Sequence, residues 1–186
     1  MALEEPAIIV VSGIQGAGKS TVARALAGRF ERGVHIEADA LQRMIVSGGE
    51  WASEAGEPAG EAEKQLRLRL HNACLLARSF VGDGFTAVVD DIIIGERFDH
   101  LRVELAGLPF RLVVLAPDVA TVIARDKARE HSVGEEWACH LDEEQRRTMA
   151  GRGLWVDSSG QTAAETVDEV MSRLENKGLI EAKRPG

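Results

Sequence analysis

Cysteine is scarce: Cys74 and Cys139 are the only two in 186 residues, far apart and without a CxxC spacing. That excludes a disulfide framework and a thiolate zinc site, and it makes a reducing cytoplasm the expected setting. Long apolar runs are also missing. The run in MALEEPAIIVV extends over five residues before Ser12 and follows no basic segment, so neither an export signal nor a membrane span is expected. Clustered Lys and Arg are lacking, with 22 basic against 30 acidic residues and a formal charge of -8. This balance suits a soluble protein and argues against a general affinity for nucleic acid. His71, His100, His131 and His140 are scattered with no HxxxH or His/Cys cluster, so no transition-metal site is expected. No internal repeat occurs, and the only biased segment is the Gly-, Ala- and Glu-rich SGGEWASEAGEPAGEAE of residues 47–63.

What is present is an alternation. Short runs rich in Val and Ile (AIIVVS, VHIEA, FTAVVDD, FRLVVLA and LWVDS) are separated by longer segments of helical period. Their near-continuous apolar character predicts strands buried on both faces. Leu66, Leu70, Ala73, Cys74, Ala77 and Val81 recur at spacings of three and four, predicting an amphipathic helix from about Glu61. TVIARDKARE and TAAETVDEVMSRLENKG read as further helices, the second closed by a glycine. The expected fold is α/β, a doubly wound five-stranded parallel sheet with ligands gathered at the carboxyl ends of the strands. The length fits one domain over residues 1–186.

The first strand runs into Gly13-Ile14-Gln15-Gly16-Ala17-Gly18-Lys19-Ser20, a full match to GxxxxGK[ST] between strand and helix. Glycines at 13, 16 and 18 let successive backbone N–H groups point at phosphate oxygens, aided by the positive end of the following helix. Gln15 and Ala17 complete the cradle. Lys19 is expected to reach the β and γ phosphates and Ser20 to ligate Mg²⁺, with Thr21 packed behind it. An NKxD-type base-reading motif is absent, ARDKARE being only a passing likeness, and the small size points to a kinase using ATP and Mg²⁺.

Carboxylates stand at two further strand ends. In VHIEADAL, Asp39 is the candidate base that takes a proton from an acceptor hydroxyl; its alternative is to cap a helix starting near Ala40. Glu37 orients substrate or sits in solvent. In TAVVDDIIIG, one of Asp90 and Asp91 is expected to serve Mg²⁺, since alternation along a strand points the two in different directions.

Arg125 and Arg129 lie at i and i+4 of one helix face, placed to bind the transferring phosphoryl group; surface ion pairs with Asp126 and Glu130 are the alternative. Residues 130–152 form a polar segment able to close as a lid, with Arg146, Arg147 and Arg152 as further candidates and a solvated face the alternative for the first two. Trp51, within the insert at 47–63, either closes over a substrate or covers local apolar surface. Glu50, Glu54 and Glu57 there suit an amine-bearing acceptor or a solvated loop.

Taken in order, GIQGAGKS, EADAL, VVDDIIIG, ARDKARE and VDSSGQTAAETVDEV make the chain resemble the small P-loop kinases grouped with chloramphenicol phosphotransferase, and more distantly zeta toxins, gluconate kinases and shikimate kinases. The likeness runs from Ile8 to about Leu174. It implies that Asp39 activates the substrate hydroxyl, that Arg125 and Arg129 engage phosphates, and that the loop after LWVDS lies beside the adenine. The phosphate loop looks more like that of gluconate kinases than the serine-rich loop of the chloramphenicol enzymes, Ala40 departs from the polar residue usual after the base, and the insert from Ser47 to Gly60 has no clear counterpart. The resulting expectation is an ATP-dependent phosphotransferase acting on a hydroxyl of a small molecule, an antibiotic or other natural product among the candidates. A non-catalytic ATP-binding switch and a polynucleotide-end kinase are the alternatives.

Overall fold

The computed structural model describes residues 3, 5–51, 59–127, 134–175 and 177–181. All five expected strands are present: β1 (Ile8–Gly13), β2 (Gly33–Glu37), β3 (Thr86–Asp90), β4 (Phe110–Leu115) and β5 (Leu154–Val156). They pair in parallel in the order β2-β3-β1-β4-β5. A sixth, two-residue strand, β6 (Leu179–Ile180), runs antiparallel along the first residues of β4, on the stretch that β5 leaves unpaired. Two residues carry no period, so the sequence offers no sign of it.

The parallel strands read as continuous apolar runs because helices cover both faces. Odd and even residues of β1 part accordingly: Ile9 and Val11 enter one core with Val88, Val113 and Leu115, whereas Ile8 and Val10 enter the other with Ala87, Val89 and Leu112. The first core is sealed by α1 (Lys19–Ala27), through Val22, Ala23, Leu26 and Ala27, together with α5 (Val119–Lys127) and α7 (Ala163–Arg173). A fully buried Leu26 alone contributes about 1.5–3 kcal/mol of transfer free energy. The second core is covered by α3 (Gly60–Gly82), whose stripe Leu70, Ala73, Cys74 and Ala77 faces the sheet as its period requires, and by α4 (Glu96–Glu104). In α4 only Phe98 and Leu101 are buried, too few to mark a helix in the sequence.

Two elements lie at the carboxyl ends of the strands. The short α2 (Ala38–Arg43) follows β2 directly and packs on α3. The long α6 (Glu135–Met149) places Ala138 in the first core and Met149 in the second, so it passes from one face to the other, with Gln145 fully buried and donating to the Leu115 carbonyl at the end of β4. Among the described residues, the phosphate-loop motif, Asp39, the Asp90–Asp91 pair and Arg125 therefore lie at the carboxyl ends of the strands.

Candidate active site

At the end of β1 the chain must turn into α1 within a few residues, and glycine makes this possible. Gly16 has φ +84°, and a Cβ there would stand 2.8 Å from the Val122 carbonyl oxygen. Gly18 has φ +92° and is the N-cap of α1; it supplies no side-chain cap, and no acid stands in the first turn. The amides at the start of α1 therefore remain available to an anion, at the positive end of the helix. Ala17 is buried and its N–H donates to Ile14 O at 3.1 Å, closing the turn around half-buried Gln15, and Lys19 Nζ donates to the same carbonyl at 3.1 Å. Gly13 lies against β4, where a Cβ would meet Leu115 O at 2.8 Å. Thr21 does not pack behind Ser20. It is exposed, because the buried stripe of α1 begins at Val22.

Ser20 Oγ donates to Asp90 Oδ2 at 2.7 Å, and His35 Nε2, from β2, lies 2.7 Å from Asp90 Oδ1. The last residue of β3, Asp90, and the next, Asp91, point in different directions as strand alternation demands, and it is Asp90 that faces the phosphate loop. A hydroxyl and a carboxylate side by side are hard oxygen donors suited to magnesium, so Ser20 and Asp90 are the residues that would hold it.

Asp91 turns to the other side, into a buried charge cluster. Its Oδ1 accepts from Arg69 Nη2 at 2.6 Å and from the Ile92 N–H at 2.8 Å, and its Oδ2 accepts from Arg97 Nη2 at 2.6 Å. Burial opposes ionisation of Asp91, but the Arg97 and Arg69 guanidiniums, with the Ile92 amide, hold its carboxyl below the usual carboxylate range. A direct metal role for Asp91 would require breaking this cluster. Arg69 Nη1 meanwhile donates to Asp39 Oδ1 at 2.7 Å. Asp39 does not cap α2: the helix starts at Ala38 with Glu37 as its N-cap, which places Asp39 in the first turn with its side chain 55% exposed. Glu37 accepts from Arg43 in an exposed pair at 2.8 Å.

One turn along α3 from Arg69, buried Gln65 pins the segment after α2. Its Nε2 donates to Gly48 O at 2.7 Å and its Oε1 accepts from the Glu50 N–H at 2.7 Å, while Gln42 Nε2 donates to Glu50 O at 3.0 Å. This brings the start of the 47–63 insert against the α2–α3 pair and leaves Trp51 half exposed. Glu54 and Glu57 lie outside the described residues.

Arg125 clasps two loops: Nη2 donates to Ser158 O at 2.9 Å beyond β5, and Nη1 to Ala17 O in the phosphate loop at 3.5 Å. Its neighbour Asp126 is buried, and it lines a small cleft between α5 and α6 together with Ile123, Lys127, Gly134 and Glu135. Arg129, Glu130 and His131 lie outside the described residues, as does the start of the expected lid. Arg146 and Arg147 make ion pairs with Asp142 and Glu144 on their own helix. Arg152 stacks over Phe98, its guanidinium carbon 4.6 Å from the ring centre.

Arg69, Arg97 and His35 were not among the candidates read from the sequence. The one available signal was polar interruption of the buried stripe of α3, where Gln65 and Arg69 stand four residues apart on the face that the apolar period claims.

A family model described as an AAA domain matches residues 8–152. Similar solved structures include a gluconokinase from Sinorhizobium meliloti 1021, at 24% identity and a TM-score of 0.66 over 93% of this chain and 94% of that one. A shikimate kinase from Bacteroides thetaiotaomicron aligns at 15% identity and a TM-score of 0.66, covering 91% of this chain and 98% of that one. The tunicamycin resistance protein of Deinococcus radiodurans does so at 15% identity and 0.66, covering 97% and 99%. At these identities the likeness is one of fold. No curated protein matches the sequence significantly.

Proposed function

The chain belongs to the AAA domain family, and on that footing we propose that it is a nucleotide-dependent phosphotransferase that moves the γ-phosphoryl group of ATP to a hydroxyl of a small organic molecule. The observation that carries this reading is the pairing of two half-sites at the carboxyl ends of the strands. On one side stand an uncapped α1 N-terminus and the Ser20–Asp90 contact; on the other is the half-exposed carboxylate of Asp39. A nucleotide-binding switch has no use for the second half. The folds of the gluconokinase and the shikimate kinase support the same reading.

In this mechanism the α1 amides and Lys19 hold the β and γ phosphates. Asp39 accepts the proton of the acceptor hydroxyl as that oxygen bonds to the γ phosphorus; the bond from the γ phosphorus to the β–γ bridging oxygen breaks, and ADP leaves. Arg125 covers the phosphate loop and offers positive charge where negative charge develops on the phosphate oxygens in the transition state. Ser20 and Asp90 would hold magnesium, which would supply neutralisation of phosphate charge. Arg129 completes the assignment as a second phosphate ligand, on its i+4 spacing from Arg125.

The test is ATP consumption in magnesium buffer against a panel of gluconate, shikimate, simple sugars, nucleosides, tunicamycin and chloramphenicol, with mass spectrometry of each mixture. The expected result is an acceptor one phosphate heavier, formed roughly 10²–10⁴-fold more slowly by Asp39→Asn, the usual size of a general-base contribution. Tight ATP binding with no phosphorylated product on any panel member would overturn the reading.

A further inference from the structure

We propose that Arg69 is a positioning residue that fixes the Asp39 carboxylate for acceptor activation, with Asp91 and Arg97 as its buried anchor. The proposal rests on Asp39 being the base. Its starting point is an imbalance: Arg69 is 6% exposed and Asp91 about 1%, and two arginines converge on that single buried carboxylate. Burying ions is costly, and a structural pair needs one cation per anion. The pair of Asp91 and Arg97 would satisfy itself. Arg69 adds a second positive charge, and its other η nitrogen reaches out of the protein interior to Asp39 at 2.7 Å. The cluster thus reaches charge balance only by including the surface acid.

The geometry supplies what a base on a short helix lacks. Asp39 stands in the first turn of the six-residue α2, with its side chain half in solvent and free to rotate unless something holds it. Arg69 takes Oδ1 alone, and among the described residues nothing is bonded to Oδ2, which remains for the acceptor proton. Arg69 cannot drift, because its Nη2 is bound to Asp91, whose oxygens are in turn fixed by Arg97 and the Ile92 N–H. The planar fork of a guanidinium spans two carboxylates at once; a lysine ammonium acts as a single point charge. Because Asp91 follows Asp90 directly in the chain, one strand end holds the acceptor side through Asp91 and the magnesium side through Asp90. Acceptor base and phosphate site are thereby set at a fixed separation.

The test is kinetic. Arg69→Gln and Arg69→Lys are compared with wild type, alone and combined with Asp39→Asn. The acceptor is the panel member phosphorylated fastest, or water, read as ADP release, if none reacts. Loss of orientation at the reacting group predicts kcat about 10²-fold lower for Arg69→Gln and a smaller loss for Arg69→Lys, with the ATP Kd unchanged. The decisive readout is coupling: in the Asp39→Asn background neither change slows turnover further, because Arg69 acts only through Asp39. Equal fold-losses in both backgrounds, or no loss in either, would overturn the proposal. Should Asp39→Asn alone leave turnover intact, the base assignment fails and this inference with it, an outcome distinct from additivity. Arg69→Lys keeps the charge beside Asp91, so the comparison survives if Arg69→Gln does not fold.

Discussion

Ser20 Oγ and Asp90 Oδ2 stand 2.7 Å apart although the residues are separated by 70 positions, joining the first turn of α1 to the end of β3. If the pair holds magnesium, removing either partner should impair the binding of metal-bound nucleotide and spare that of the metal-free form. Asp90→Ala is expected to weaken Mg·ATP binding roughly 10–100-fold, the usual cost of losing a group that supports a metal, with little change in ATP affinity in EDTA. Calorimetric titration under both conditions checks this. Ser20→Ala should shift affinity in the same direction, and the double variant should lose less than the two single losses combined.

Arg125 and Arg152 were both candidates for phosphate binding, and the structure sets them apart. Arg125 joins the phosphate loop to the loop after β5, so Arg125→Ala should weaken ATP binding about 10-fold or more, the worth of charge-assisted hydrogen bonds. Arg152 lies over Phe98, and Arg152→Ala is expected to leave ATP affinity unchanged while lowering stability by about 0.5–1 kcal/mol. Affinity and urea unfolding measured on both variants separate the two roles. Weakened ATP binding in Arg152→Ala would return that residue to the site.

The phosphate loop was legible because its chemistry is local: glycines, lysine and serine must occupy fixed offsets between a strand and a helix, and each lies where that constraint puts it. The parallel sheet was legible because burial on both faces demands unbroken apolar runs. The contacts of the acid pair were not. Strand alternation predicts that Asp90 and Asp91 diverge, but which one meets Ser20 depends on the β1–β3 register, a long-range pairing that places Asp90 beside Val11. Arg69 was hidden for a related reason. A charged residue on an apolar stripe reads as an interruption until the carboxylates from two other elements arrive beside it.

The buried cluster makes an acid signature. Asp91 is held ionised in the folded protein by Arg97 and Arg69 against the cost of burial, so its folded-state pKa lies below its unfolded value of about 3.9. Its contribution to stability is therefore fully present from about pH 5 upward and is lost as pH falls from there through the depressed folded value, the range in which the unfolded chain binds the proton more readily. Urea midpoints between pH 5 and pH 2 should fall less steeply for Asp91→Asn than for wild type, from a lower starting stability at pH 7. Parallel acid limbs in the two proteins would show that Asp91 does not titrate in this way.

The two cysteines differ in the same physical terms. Cys74 lies on the buried stripe of α3, and burial, followed by the nearby Glu104 and Asp91 carboxylates, pushes its thiol up to about 12, so almost no thiolate forms at pH 8. Cys139 is exposed on α6. Since the thiolate is the nucleophile, a thiol reagent such as iodoacetamide should modify one cysteine per chain in the native protein and two in denaturant, with peptide mapping placing the first label on Cys139. Cys139→Ser should leave the native protein unreactive. Slow labelling of Cys74 under native conditions would then report opening of α3 from the sheet, since its thiol is reached only when that packing is lost, and its rate should track global unfolding as urea is added.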